Sequence, residues 1–434
     1  MMEKDRRDDS TWAEDVDLVK LQFTDLFGQL KSVEIMADKV HTVLKEGYAI
    51  NRFALEGLKN WEGWPALEEL ENEGKGRELF LKPDFTTYQL LPWESGQENV
   101  ARIICDVCTQ DGTSSWADSR GVFKNIIKRA EDMGLQVFFD FQCEFYLFHT
   151  DDDGRPTIVT HEVAGYYDAG PIDLAENVRR DMMLNLSEAG IEVESAHHGL
   201  TPGQHCFVLP AKGAVEAADY LLTFKSAVKR IAKRHGLHAA FMPKPNMSGD
   251  GSGLHVGIEI RNKDGKDVTK ETAYFRTGIL KHLRDMMMFT NPIVNSYKRL
   301  AAEKTAVFQP EFPAAIWEKD CDKAVRIVRD TDKACRLEVL FPDPAVNPYL
   351  ALGAMLSAGL DGIAGQMDEN SCAVSPDFPE TLGIVIREFE HNSFAKETFG
   401  EKLCSRYLEG RKNEWERFCA YVTDWETKEY LYKC

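Results

Sequence analysis

The sequence has no long apolar run. No stretch of its 434 residues approaches 18 uninterrupted apolar positions, so no membrane-spanning helix is expected. The first ten residues, MMEKDRRDDS, lack the apolar segment of a secretory signal, and the chain reads as cytoplasmic. Positive charge is scarce: 52 Lys and Arg stand against 71 Asp and Glu, a formal charge of −19. That excess argues against nucleic acid and anionic membranes as partners. It also means that any strongly anionic ligand needs a local basic site. The ten cysteines are scattered, without the paired spacing of a zinc ribbon, and read as reduced thiols. Internal repeats and low-complexity tracts are missing, which argues against solenoids and disordered tails.

What is present is an ordinary globular composition, 43% hydrophobic and 28% charged. The length suggests two domains, one of them large. Val19 to Phe23 alternates as a strand, a turn follows, and Leu30 to Met36 alternates again, predicting a hairpin. Ala37 to Glu46 reads as a short helix ended by Gly47. Asn99–Asp106, Phe139–Phe148, Gln204–Leu209 and Arg336–Phe341 read as strands. Ala214–His235, Glu271–Met288 and Pro348–Ile363 read as helices. Strands and helices do not alternate regularly, so the fold class is α+β.

Four stretches carry a stronger signal. They are HHGLTPGQHCF (His197–Phe207), FMPKPNMSGDGSGLHVGIEI (Phe241–Ile260), NPIVNSYKRL (Asn291–Leu300) and RLEVLFPDPAVNPYLALGAMLSAGLDGI (Arg336–Ile363). With them the chain resembles the type I glutamine synthetases over nearly its whole length. The resemblance implies an N-terminal β-grasp domain over residues 1–108. It also implies a large catalytic domain over 109–434, whose antiparallel sheet forms half of a tapered barrel. It further implies a homo-oligomer, a hexamer or double hexamer, with sites between neighbours. The segment after Ile363 is short and lacks the tyrosine that many members adenylylate, so that control is not expected.

The resemblance places two divalent cations on five glutamates and one histidine. Here QCEFYLF stands for EPEFFLF, so Gln142 replaces the first glutamate and Glu144 keeps the second. In HHGLTPGQHCF the two glutamates have become Gly199 and Cys206. His255 and Glu338 are kept. Two carboxylates balance one dication but not two. The expectation is at most one metal ion, near Glu338, His255, Gln142 and Glu144. A Cys206 thiolate would favour a softer ion such as zinc; its bland alternative is a buried small hydrophobe. His205 beside it should face the opposite side of the strand.

The nucleotide side is changed as well. The second histidine and the serine that contact ATP become Gly257 and Glu259, and a phosphate arginine becomes Cys321 or Asp322. Lys333 and Arg336 are kept, as is a second arginine at Arg326 when the one-residue gap is placed before it. Binding of ATP with magnesium is expected to be weak. Leu340 replaces an arginine that binds the substrate carboxylate, leaving Arg299 as the one clamp. On the ammonium side the acids become Asn51 and Thr305, and a serine becomes Ala54. Three readings follow. The first is a non-catalytic, regulatory relative. The second is a repurposed enzyme using one metal or Cys206 on a small amine, amide or carboxylate. The third is an ATP-dependent γ-glutamyl ligase, making glutamine or a γ-glutamylamine.

Overall fold

The computed structural model describes residues 16–57, 78–94, 96, 98–246, 249–264, 268–303, 324–329, 335–368 and 378–434. Five strands form the first sheet: β1 (Leu18–Thr24), β2 (Leu30–Met36), β3 (Tyr48–Asn51), β4 (Glu78–Leu90) and β5 (Val100–Cys108), in the order β2-β1-β5-β4-β3. β1 and β2 make the expected hairpin, and β1 runs parallel to β5. The turn between β1 and β2 is held by Asp25, whose Oδ1 accepts from the Phe27 and Gln29 amides at 3.0 and 2.8 Å. Helix Val40–Glu46 follows a short 3-10 turn and ends at Gly47, which has φ +78°. Val40 and Val43 pack on Val19, Leu21 and Ile103, closing a small core of the β-grasp type. Cys105 and Cys108 have a Cys-x-x-Cys spacing that a reading of the cysteines as scattered passes over. On a strand, positions three apart face opposite sides, so the two thiols do not form a pair.

The second sheet is antiparallel throughout and larger. Its strands are β6 (Leu135–Thr150), β7 (Pro156–Thr160), β8 (Ser195–His198), β9 (Gln204–Gly213), β10 (Leu237–Ala240), β11 (Leu254–Asn262), β12 (Val325–Arg329) and β13 (Cys335–Val339). The order is β12-β13-β11-β6-β9-β8, with β7 and β10 paired to the end of β6. The sheet curls into half of a barrel. β6 is the long middle strand, and its alternation divides the molecule. Phe139, Phe141, Cys143 and Phe145 are fully buried beneath the sheet. There Phe145 packs against Phe207, Phe224 and Phe241 with ring centroids 5.2–6.3 Å apart. Asp140, Gln142 and Glu144 take the opposite, concave face. One extra residue in β9 opposite Asp140 makes a bulge around Pro210, a position where proline needs no ladder hydrogen bond.

Helices cover the convex side. Helix Ala214–Arg234 and helix Pro348–Ala364 are as expected. The predicted helix Glu271–Met288 is instead two, Thr269–Lys281 and Leu283–Thr290. The break falls at His282, whose ring bridges Asp285 and Asp361 at 2.9 Å each and stacks on Phe394. Helices Thr269–Lys281 and Pro348–Ala364 cross in close contact. A Cβ at Gly278 would sit 2.2 Å from the Ala358 carbonyl, and one at Gly362 2.1 Å from the Tyr274 carbonyl.

The two sheets are tied by Arg120, on helix Ser119–Asp132. Its Nη1 donates to Asp106 of β5 at 2.7 Å, and Nη2 to Asp84 of β4 at 3.0 Å. Nε and Nη2 also donate to both oxygens of buried Asp219, on helix Ala214–Arg234, at 3.1 and 2.9 Å. Tyr349 donates to Asp219 at 2.6 Å. Removing one member of a buried, fully bonded charge network leaves the rest uncompensated. Arg120→Met is therefore expected to cost about 3 kcal/mol or more. Asp106→Asn, on the more exposed rim, should cost under ~1 kcal/mol. Thermal and denaturant melts of the two variants measure the contrast, and equal losses would show that the network does not join the sheets.

Candidate functional site

Register assigns the concave face residue by residue. On β6 it carries Asp140, Gln142 and Glu144; on β11, His255, Gly257 and Glu259 lie opposite Gln142, Asp140 and Phe138. On β13, Glu338 lies opposite Gly257 and Arg336 opposite Glu259. On β12, Arg326 lies opposite Glu338. Cys206 of β9 lies opposite Glu144, and His197 of β8 opposite Cys206. Side chains in register on one face are neighbours. The structure thus brings together Gln142, Glu144, Cys206, His255, Glu338, Arg326 and Arg336. His205 pairs with Phe145 on the buried side, so Cys206 and His205 form no dyad.

The two carboxylates have defined partners. Glu338 accepts from Arg326 Nε at 2.5 Å. Glu144 accepts from the Gly253 amide at 2.7 Å. His255 is buried, and burial together with the Arg299, Arg326 and Arg336 charges pushes it down to about 3. Its ring is neutral and keeps a lone pair at physiological pH. Cys206 is 1% exposed. Burial first, then the Glu144 carboxylate, push its thiol well up, against a hydrogen bond with Gln142 that acts the other way. A neutral thiol is a poor nucleophile, which favours the reading of Cys206 as a buried small hydrophobe over the nucleophilic one.

Two glycines mark where carboxylate or imidazole chemistry has gone. A Cβ at Gly199 would lie 2.7 Å from Gln204 Cγ, so the Gln204 side chain fills that space. Gln204 is itself fixed: Oε1 accepts from the Leu200 amide at 3.0 Å, and Nε2 donates to the Gly251 carbonyl at 3.0 Å. A Cβ at Gly257 would lie 2.1 Å from the Asp140 carboxylate. Neither Gln204 nor Asp140 is singled out by a reading of the sequence. The signal for Asp140 was available, since it sits two residues before Gln142 on a strand of period two.

Other expected residues are off the row of facing side chains. Arg299 is fully buried and donates to the Phe341 and Pro342 carbonyls. Its guanidinium thus holds the chain just after β13 while its charge reaches His255. Asn51 ends β3 in the other sheet, where Oδ1 accepts from the Phe53 amide at 2.9 Å. Thr305, Cys321, Asp322 and Lys333 lie outside the described residues.

Glu162, His198 and His205 form a further polar group, with donor atoms within 4.8 Å of one another. His198 Nε2 meets Glu162 at 2.5 Å and its Nδ1 meets the Gly199 carbonyl at 2.8 Å. Both contacts are satisfied by a protonated ring, and His198 is correspondingly raised. Arg179 lies 3.2 Å from His205 Nδ1. An arginine can only donate, so His205 carries its proton on Nε2 and offers no lone pair there. As it stands the group contains a buried His198–Glu162 pair. A cavity of about 730 Å³ near β4, lined by Asp84, Arg102, Arg120 and Tyr220, also lies off the concave face. Its Arg120 is already committed to three aspartates.

The description "Glutamine synthetase, catalytic domain" matches residues 116–430. The glutamine synthetase of Staphylococcus epidermidis is 36% identical over 447 aligned positions, covering 96% of each chain. That of Staphylococcus aureus is 35% identical with the same coverage. The chain belongs to the glutamine synthetase family. The fold agrees with GmaS solved without ligand, at TM-score 0.80 and 24% identity, covering 96% of this chain and 97% of that one. It agrees equally with the GmaS/ADP complex, at 0.79 and 23%, with the same coverage. The full-length relatives carry the name of an active ligase, and the expectation of a non-catalytic relative finds no support in them.

The family's two divalent cations can be tested against the residues present. Around Glu144 the donors do not fit. Gly199 offers nothing, Gln204 fills the space, and Cys206 is a neutral thiol. Around Glu338 they fit one ion, with neutral His255 and the Gln142 amide as further donors and Arg326 as a competing cation. A manganese titration followed by paramagnetic resonance should therefore saturate at one ion per chain. His255→Ala should abolish it, and Arg326→Gln should tighten it. Two ions per chain would overturn this charge count.

Proposed function

We propose that this glutamine synthetase homologue is an ATP-dependent γ-glutamyl ligase whose amine is larger than ammonia. The observation that carries the reading is the neutrality of one side of the concave face in a chain otherwise collinear with family members. Gly199 is backed by the Gln204 amide, Cys206 is a thiol, and His197 is pushed down by burial and by Arg179. Ammonium is a small, strongly hydrated cation that needs carboxylates to hold and deprotonate it. An amine with an apolar body must lose its proton too, but it gains affinity from contact that ammonium lacks. His197 offers such contact, stacked on Tyr167 at 4.4 Å and 21°, with Tyr166 packed edge-on at 4.3 Å against Tyr167. Tyr167 has φ +57° and is 61% exposed, and a bulky side chain held there in strained backbone is typical of functional positions.

Joining a carboxylate to an amine requires an activated acyl group, and the family draws it from ATP. In this reading Arg326 and Arg336 supply positive charge to the phosphates and Glu144 the remaining negative charge near the amine. The chain also leaves Tyr421, Val422, Trp425, Leu431 and Tyr432 at least 63% exposed at its C-terminal end. An apolar group of that size supports a homo-oligomer, with a ring of six or twelve as the family form.

The test is ADP release from ATP and glutamate with a panel of amines. A primary alkyl or aromatic amine should stimulate release at least about tenfold more than ammonium at equal concentration, a difference of ~1.4 kcal/mol. Equal stimulation by ammonium would return the chain to ordinary glutamine synthesis. No stimulation by any amine would favour the non-catalytic reading. In parallel, sedimentation at micromolar concentration should show no dominant species near 49.2 kDa.

A further inference from the structure

Arg336 does not pair with the residue opposite it. Its cross-strand neighbour is Glu259, yet Glu259 is taken by Arg261, which donates to it at 2.7 and 2.9 Å. Arg336 instead reaches across β11 to Asp140 on β6, two strands away. Nε donates to Oδ2 at 2.8 Å and Nη2 to Oδ1 at 2.5 Å, a bidentate pair. Two strand spacings are about 9.6 Å, beyond the usual cross-strand contact. The bridge is possible because the residue between them is Gly257. The Asp140 carboxylate lies over that glycine, where any Cβ would be 2.1 Å from an oxygen. Asp140, Gly257 and Arg336 are therefore one unit: the glycine opens a window through which the two charges meet.

A bidentate carboxylate occupies a guanidinium in the same way as a phosphate oxyanion does. Arg336 remains about a third exposed on the concave face while Asp140 is mostly covered. Arg326 lies on the adjacent strand, its neighbour Val328 opposite Arg336. Two guanidiniums so placed suit a polyphosphate better than a single carboxylate.

We propose that Asp140 is an internal occupant of an oxyanion site on Arg336, which a ligand phosphate must displace, and that it sets the affinity and specificity of the face for phosphate groups. This deepens the ligase reading, in which the phosphates are those of ATP, and it can be tested without turnover. Asp140 is a positioning residue here: it acts through Arg336 and need not touch substrate.

The probe is inorganic pyrophosphate, with Mg-ATP as a second, measured by calorimetry on the full chain. Asp140→Asn keeps the shape and removes the charge. It should tighten pyrophosphate binding by about tenfold, the scale of one lost charge-assisted competitor. Glu259→Gln removes an equal charge from the same face but releases Arg261, which stays stacked over Phe138, rather than Arg336, and should change pyrophosphate affinity less than about twofold. The Asp140→Asn/Arg336→Gln double variant should lose the gain. Equal tightening by Asp140→Asn and Glu259→Gln would reduce the effect to bulk charge and overturn the proposal. So would weaker binding in Asp140→Asn, or a larger gain for glutamate than for pyrophosphate. Should Asp140→Asn fold poorly, Gly257→Ala displaces the carboxylate sterically and must also tighten pyrophosphate. An Asp140→Asn chain that binds pyrophosphate tightly yet turns over no amine would fault the ligase reading and leave this one standing.

Discussion

The molecule depends on the two-residue period of one strand. β6 runs through the middle of the larger sheet, and each side chain it sends down is apolar while each it sends up is polar from Asp140 to Glu144. A shift of one residue would bury three polar groups and expose four aromatic or thiol ones. Every neighbour is bound by that choice. β11 sets His255 beside Gln142, β9 sets Cys206 beside Glu144, and β13 carries Glu338 and Arg336 to the same surface. The chemistry of the face can therefore vary while its geometry does not, since a strand tolerates exchange on its open side while its buried side holds the register.

The charge on that face is divided. One flank, with Arg326, Arg336, Asp140 and Glu338, is made of matched pairs. The other, with Gly199, Cys206 and His197, is almost without charge, and Glu144 stands at the boundary. A site built for ions on both flanks would need carboxylates on both. What exists suits an anionic ligand on one side and a weakly charged or apolar one on the other. The overall charge of −19 makes the local arginines more important, because the field of the whole chain does not favour an anion.

Much of this was legible in the residues alone. Motifs that include their own spacing, such as the stretch through His255 or the one through Glu338, placed their residues correctly because strand parity carries them to a known face. The opposed faces of His205 and Cys206 follow from the same parity. The misses share a different cause. The Asp140–Arg336 bridge needs three strands in register and a glycine in the middle, and no local window of sequence contains all three. The burial of Arg299 depends on Gly251, where a Cβ would lie 2.4 Å from its Cγ, and the intact motif around Arg299 does not contain that glycine. The break at His282 depends on Asp361, far along the chain, and helical periodicity runs straight through it.

The Gln204 side chain has a consequence for how this family member can change. Its amide does three tasks at once: it fills the space beside Gly199, receives the Leu200 amide, and bonds the Gly251 carbonyl. Reinstating an acidic residue at 199 would expel Gln204 and break both of those bonds before any ion could repay the loss. Restoring an acid at 206 alone would bury a charge next to Glu144 with nothing to balance it. Each step back is unfavourable unless the others have been taken. A pair of acids on this flank is thus closed to single changes, because neither is tolerated until the other and a balancing cation are in place.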